Sequence, residues 1–173
     1  MHVEGVALSK KLVDAVTART TSEEYKLQKG FAWVRGLGEG LVACGQTVLT
    51  TGHLGEKNKH WVVLAVDTKE EKICYGDSLG LPIPSNLLAT YQWWMQQHCS
   101  SPLELKDLLI TKQEDGSSCG ILADNALRHF TTPDDVLLCD PVEMHAARMS
   151  TFIRVANTIL ESVSLLGWCL DCN

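Results

Sequence analysis

Long apolar runs are missing from this chain. The longest, Trp61 to Val66, falls far short of the roughly 18 residues that a membrane-spanning helix needs. Residues Met1 to Ala18 are interrupted by Glu4, Lys10, Lys11 and Asp14, so no secretory leader is expected there. A basic excess is missing too: 15 Lys and Arg stand against 21 Asp and Glu, for a net charge of −6. Phosphate neutralisation needs clustered Lys and Arg, so neither nucleic acid nor a membrane is expected as a partner. Proline is sparse, at five residues. No repeat, low-complexity tract or Pro/Ser-rich linker divides the sequence. A length of 173 residues with 45% hydrophobic and 21% charged residues suits one domain spanning 1–173.

Cysteine is plentiful: seven residues, an odd number that cannot all pair within the chain. Their spacing matches no disulfide framework, which points to a reducing compartment, cytoplasmic or nuclear. Cys169-Leu170-Asp171-Cys172 has no second Cys/His pair at zinc spacing and reads as a plain tail. His53, His98, Cys99, His129 and His145 form no metal-spaced cluster and read as helix or loop surface, so no metal and no cofactor is expected.

Helical spacing predicts an amphipathic helix over residues 7–19, with Leu8, Leu12, Ala15, Val16 and Arg19 at that spacing. Gly36, Gly38, Gly40 and Gly45 read as loop or turn, and Val48 to Thr51 as a short strand. His60 to Asp67 is the clearest strand, continuous and β-branched. Thr68 to Glu71 makes a polar turn, and Lys72 to Asp77 returns as the paired strand. A helix is expected over 85–99, a strand over Leu108 to Thr111, and a helix from Gly116-Ser117-Ser118 to about Phe130. Ser117 or Asp115 is the expected N-cap of that helix. A final helix runs from about Val142 to Val163, opened by Asp140-Pro141. Strands in the middle and helices outside give the class α+β.

The chemistry gathers on four residues. A turn centred between Thr68 and Lys69 sets His60 directly opposite Asp77, with Cα atoms roughly 4.5–5.5 Å apart. A carboxylate beside an imidazole fixes its tautomer and stabilises the imidazolium. The alternative is a surface hairpin whose His and Asp meet only water. Cys119 falls in the first turn of its helix, where the dipole and unpaired N–H groups favour an anionic thiolate. Gly120 then leaves backbone room for a substrate. Ser117 and Ser118 are rival nucleophiles, but a serine needs a dedicated base near neutral pH. Gln113 is placed to donate to the oxyanion of a tetrahedral intermediate, beside the Cys119 N–H.

Taken together, His60-Trp61, Asp77-Ser78, Gln113 and Asp115-Gly116-Ser117-Ser118-Cys119-Gly120 resemble the core of the ubiquitin-like-protein proteases. These are the SUMO-deconjugating, sentrin-specific cysteine peptidases, relatives of the adenovirus protease. The resemblance covers about residues 47–130 and is specific in combination. It implies a papain-like, adenovirus-protease-like α+β fold with a mixed or antiparallel central sheet and the nucleophile at a helix N-terminus. It implies Cys119 as nucleophile, His60 as base, Asp77 as its orienter and Gln113 as oxyanion donor. It also implies that Trp61 covers the diglycine tail of a partner such as SUMO or ubiquitin. The family's front motif, Trp-Leu-x-Asp, is not visible, and Trp33 lies in an unrelated context, Phe31-Ala32-Trp33-Val34. The activity expected is thiol peptidase or isopeptidase cleavage after a modifier's diglycine. The competing readings are a Cys-His acyltransferase on a related fold and a silent module that only binds the modifier.

Overall fold

The computed structural model describes residues 22–27, 31–55 and 60–170. The expected helix over 7–19 lies outside them, as do the side chains of Cys169 and Cys172. Two compact units divide the chain, Met1–Leu138 and Cys139–Asn173.

The first unit carries helices α1 (Ser22–Leu27) and α2 (Ala32–Cys44), then strands β1 (Thr47–Leu54), β2 (His60–Asp67) and β3 (Lys72–Gly76). Helix α3 (Ser85–Gln96), strand β4 (Glu104–Asp107) and helix α4 (Cys119–Thr131) complete it. The strands form one mixed sheet in the order β1-β2-β3-β4, antiparallel at the first two pairings and parallel at β3–β4. This is the α+β arrangement that the sequence pattern predicts.

Strand β2 is buried on both faces, which explains its unbroken apolar run. Val62, Leu64 and Val66 pack against Val34 and Leu41 of α2 and Tyr91 and Trp94 of α3. Trp61, Val63 and Ala65 point the other way, toward Ala123 and Ala126 of α4. Alternation thus assigns one face of β2 to α2 and α3 and the other to α4. Trp94 is fully buried, and its indole N–H donates to the Val34 carbonyl at 3.2 Å. Its neighbour Trp93 is half-buried at the margin of the same core.

Three expectations are corrected. The glycine stretch is helix, not loop: Val34, Gly38 and Leu41 form a buried stripe along α2. Each glycine costs a helix up to about 1 kcal/mol, and burial of that stripe outweighs the cost. Gly38 is required by packing, since a Cβ there would lie 2.3 Å from the His98 ring. His98 is accordingly half-buried between α2 and the end of α3, not a surface residue. Only Gly45 turns the chain, ending α2 in the left-handed region at φ 59°.

The second correction is register. Asp67 pairs with Lys72, which centres the turn between Lys69 and Glu70 and moves Val62, not His60, opposite Asp77. The cause is Asp67, whose Oδ1 accepts the Lys69 and Glu70 N–H groups at 3.0 and 2.9 Å. A four-residue turn results, with Glu71 at φ 50°. The third concerns Leu108 to Thr111, which is not strand. The edge strand is Glu104–Asp107, exposed throughout, and just beyond it the Leu108 N–H donates to the Tyr75 carbonyl of β3 at 2.8 Å.

The second unit is a 3₁₀ turn, Pro141–Glu143, leading into helix α5 (Met144–Leu170). Asp140 caps the turn by accepting the Val142 N–H at 2.9 Å, as Asp140-Pro141 predicts.

Candidate active site

His60 and Asp77 meet despite the shifted register. A displacement of two residues keeps His60 and Asp77 on one face of the hairpin, and diagonal neighbours are within side-chain reach. His60 Nε2 lies 2.8 Å from Asp77 Oδ1, with side chains 13% and 2% exposed. Asp77 is otherwise fully engaged. Its Oδ1 also accepts the Leu79 N–H at 2.7 Å, and its Oδ2 accepts the Tyr75 hydroxyl at 3.2 Å. Burial first, then the Asp77 charge and hydrogen bond, pushes the Tyr75 phenol above its ordinary range, so it stays a donor. The carboxylate is fixed from three sides and cannot swing away from the imidazole.

Cys119 is the first residue of α4 and is 8% exposed. The N-cap residue is Ser118, with no side-chain cap bond, so neither Ser117 nor Asp115 caps the helix; Asp115 instead ties the loop just ahead of it. Asp115 Oδ1 accepts the Ser117 and Ser118 N–H groups at 2.9 and 2.8 Å, and its Oδ2 accepts the Ser118 hydroxyl at 2.5 Å. Both serine N–H groups are therefore consumed just ahead of Cys119. The Ser118 hydroxyl, one rival nucleophile, is committed to a carboxylate, and Ser118 is 2% exposed.

Trp61 joins the two halves of the site. It follows His60 on β2 and faces α4, where a Cβ on Gly120 would lie 3.4 Å from its Cδ1. The indole thus lies against the residue after Cys119, and its edge meets His53 of β1 at 4.9 Å between ring centroids. His60 and Cys119 are each the chain neighbour of one member of this contact.

Gln113 lies in the loop between β4 and α4. It is held by Ser78, whose hydroxyl donates to Gln113 Oε1 at 3.1 Å and whose carbonyl accepts the Gln113 N–H at 2.8 Å. Gln113 Nε2 donates to the Asp115 carbonyl. Ser78 and Tyr75 carry no spacing signal of their own. Ser78 and Tyr75 are visible only as neighbours of Asp77.

The model of the Ulp1 protease family, C-terminal catalytic domain, matches residues 47–150. The chain belongs to the Ulp1 protease family. It is a cysteine peptidase domain of that family, and the match takes in all of β1 to α4. Among solved structures, it is similar to the SUMO protease Ulp1 with its catalytic cysteine oxidised to a sulfonic acid. Identity there is 21%, over 82% of this chain and 70% of that one, with a TM-score of 0.48. It is similar to the C-terminal Ulp1 protease domain in complex with Smt3, the yeast ortholog of SUMO, at 17% identity over 80% and 68%, TM-score 0.45. It also resembles the Chlamydia abortus effector protein ChlaDUB, at 16% identity over 64% and 57%, TM-score 0.42. No curated protein matches the sequence.

Proposed function

We propose that this Ulp1-family domain is an isopeptidase that cleaves after the C-terminal diglycine of a ubiquitin-like modifier, SUMO or ubiquitin. The observation that carries the reading is the His60–Asp77 pair at 2.8 Å, joined through Trp61 and Gly120 to the helix N-terminus that bears Cys119. Residues 1–173 act as one catalytic domain in this reading, and the family match runs across both compact units.

In the reaction His60 takes the Cys119 proton, and the thiolate attacks the carbonyl carbon of the modifier's last glycine. The carbonyl oxygen becomes an oxyanion, met by the Cys119 N–H and the second Nε2 hydrogen of Gln113. His60 then gives its proton to the departing lysine amine, which leaves a thioester on Cys119. Water attacks the thioester with His60 as base, releasing the free modifier and restoring the thiol. Asp77 holds the ring and offsets the imidazolium charge without taking a proton itself. Trp61 roofs the glycines, whose lack of a Cβ lets them pass beneath an indole.

The test is incubation with SUMO and with ubiquitin, each carrying a C-terminal electrophile, followed by intact mass and peptide mapping. An adduct on Cys119 with either modifier is the expected result. No adduct with any modifier, together with acetyl-CoA turnover, would overturn the reading in favour of acyl transfer.

A further inference from the structure

The Ser78 side chain sits between the two halves of the catalytic apparatus. It is 1% exposed, it follows Asp77 directly, and it touches Gln113 twice. A buried hydroxyl must find a partner, and here that partner is the oxygen end of the Gln113 amide.

The terminal torsion of a glutamine is broad and nearly two-fold, so hydrogen bonds decide which end of the amide faces a cleft. Asp115 offers a backbone carbonyl, which can only accept, and that identifies the end pointing at it as the NH₂. Ser78 offers a hydroxyl to the other end. Reversing the amide would set Gln113 Oε1 against the Asp115 carbonyl oxygen, two acceptors with no proton between them. One amide hydrogen is therefore spent on Asp115, and the direction of the other is fixed.

We propose that Ser78 is a positioning residue that fixes the Gln113 amide, so that the turn carrying the Asp77 carboxylate also aims the oxyanion donor. The proposal rests on the roles given above to Cys119 and Gln113. Without the Ser78 hydroxyl the amide keeps only its bond to Asp115 and pivots about it. Ground-state binding is untouched, since the oxyanion exists only after attack.

The experiment compares Ser78→Ala, the near-isosteric Ser78→Cys, Gln113→Ala and Ser78→Ala/Gln113→Ala on a modifier fusion. Alkylation of Cys119 by a haloacetamide is measured alongside, because it needs the thiolate but no oxyanion donor. Losing one oxyanion donor typically costs roughly 10²–10³ in kcat, and Ser78→Ala, which only loosens the donor, is expected to cost about tenfold. KM and the alkylation rate should hold within about twofold, and Ser78→Cys should behave alike, its thiol being a weak donor. In the Gln113→Ala background the Ser78→Ala loss should vanish. An equal Ser78→Ala loss in both backgrounds overturns the proposal, as does a matching fall in alkylation. A fully active Gln113→Ala enzyme instead overturns the oxyanion role of Gln113 itself, and is recognisable as that earlier failure. If Ser78→Ala does not fold, Ser78→Cys alone carries the same comparison.

Discussion

The imidazole of His60 meets Asp77 through Nε2, 2.8 Å from Oδ1, which leaves Nδ1 as the nitrogen available to a thiol. His60→Ala removes that acceptor and is expected to lower kcat/KM on the order of a thousandfold. Asp77→Asn is expected to be milder, about tenfold to a hundredfold, because a thiolate forms more readily than an alkoxide. The geometry favours this ranking: an asparagine oxygen still accepts from Leu79, and its NH₂ still meets the Tyr75 oxygen. Hydrolysis of a fluorogenic modifier substrate measures both. Equal and negligible losses would remove the pair from the mechanism.

Cys119→Ala should abolish turnover while preserving binding of the modifier. Its small side chain begins a helix whose preceding loop is tied by Asp115, so stability is expected to change by only about 1 kcal/mol. Urea unfolding and titration with an uncleavable modifier check the two halves of this statement. Substantial hydrolysis by Cys119→Ala would disprove the nucleophile assignment.

Gly76 separates the Tyr75 donor from Asp77, and its place admits no side chain. A Cβ there would lie 2.7 Å from Val63 Cγ1 and 3.0 Å from the Leu108 carbonyl oxygen. The first neighbour is a core side chain and the second is backbone, so neither yields cheaply. Gly76→Ala is expected to destabilise the fold by about 1–3 kcal/mol, the usual cost of overpacking. It should also reduce activity, because Leu108 and Asp77 move with the strand end. A variant with unchanged unfolding midpoint would show that the sheet relaxes there without cost.

The sequence displayed the site more clearly than the framework around it, and the reason lies in which interactions are local. The β2–β3 hairpin and the Cys119 helix are written in short-range signals: a β-branched run, a polar turn, a cap residue near a glycine. Alternation alone then puts His60 and Asp77 on one face, and a register error of two leaves that intact. An error of one would have parted them. Helix α2 is the opposite case. Its glycines deny it helix propensity, and it forms because Val34 and Leu41 find a partner in α3, far along the chain. No local pattern announces that. Strand β4 is similar, four exposed residues made strand only by pairing with β3. Ser78 is legible as part of a motif, while its double contact with Gln113 depends on the path of a loop 35 residues away.

His98 gives the fold a dependence on pH. Burial lowers its pKa, with Glu39 opposing and Arg35 adding to the shift. A group depressed in the folded state binds its proton more tightly when unfolded. Stability is therefore complete above the unfolded value near 6.5 and is lost as pH falls through it toward the folded value. His98→Gln should flatten that slope between about pH 7 and pH 5, whatever its effect on absolute stability. Urea midpoints across this range give the slope for each protein. Identical slopes would mean that His98 titrates alike in both states.

Trp61 sets the last expectation, which concerns specificity. Strict alternation turns its indole away from His60 and toward α4. There the ring is held edge-on by His53 and lies 3.4 Å from where a Gly120 Cβ would stand. A ring pinned beside Cys119 would leave a substrate backbone a slot with no space for a side chain, and only glycine fits such a slot. Modifier fusions with Gly→Ala at either tail position should therefore lose at least about tenfold more kcat/KM than fusions altered upstream. Trp61→Ala should turn over more slowly and discriminate less, because the roof is gone while Cys119 and His60 remain. Circular dichroism of that variant separates this from unfolding, since Trp61 is half-buried and packs against α4. If the unmodified enzyme cleaves Ala-tailed and Gly-tailed fusions equally well, the slot does not exist and Trp61 serves only to pack α4 against the sheet.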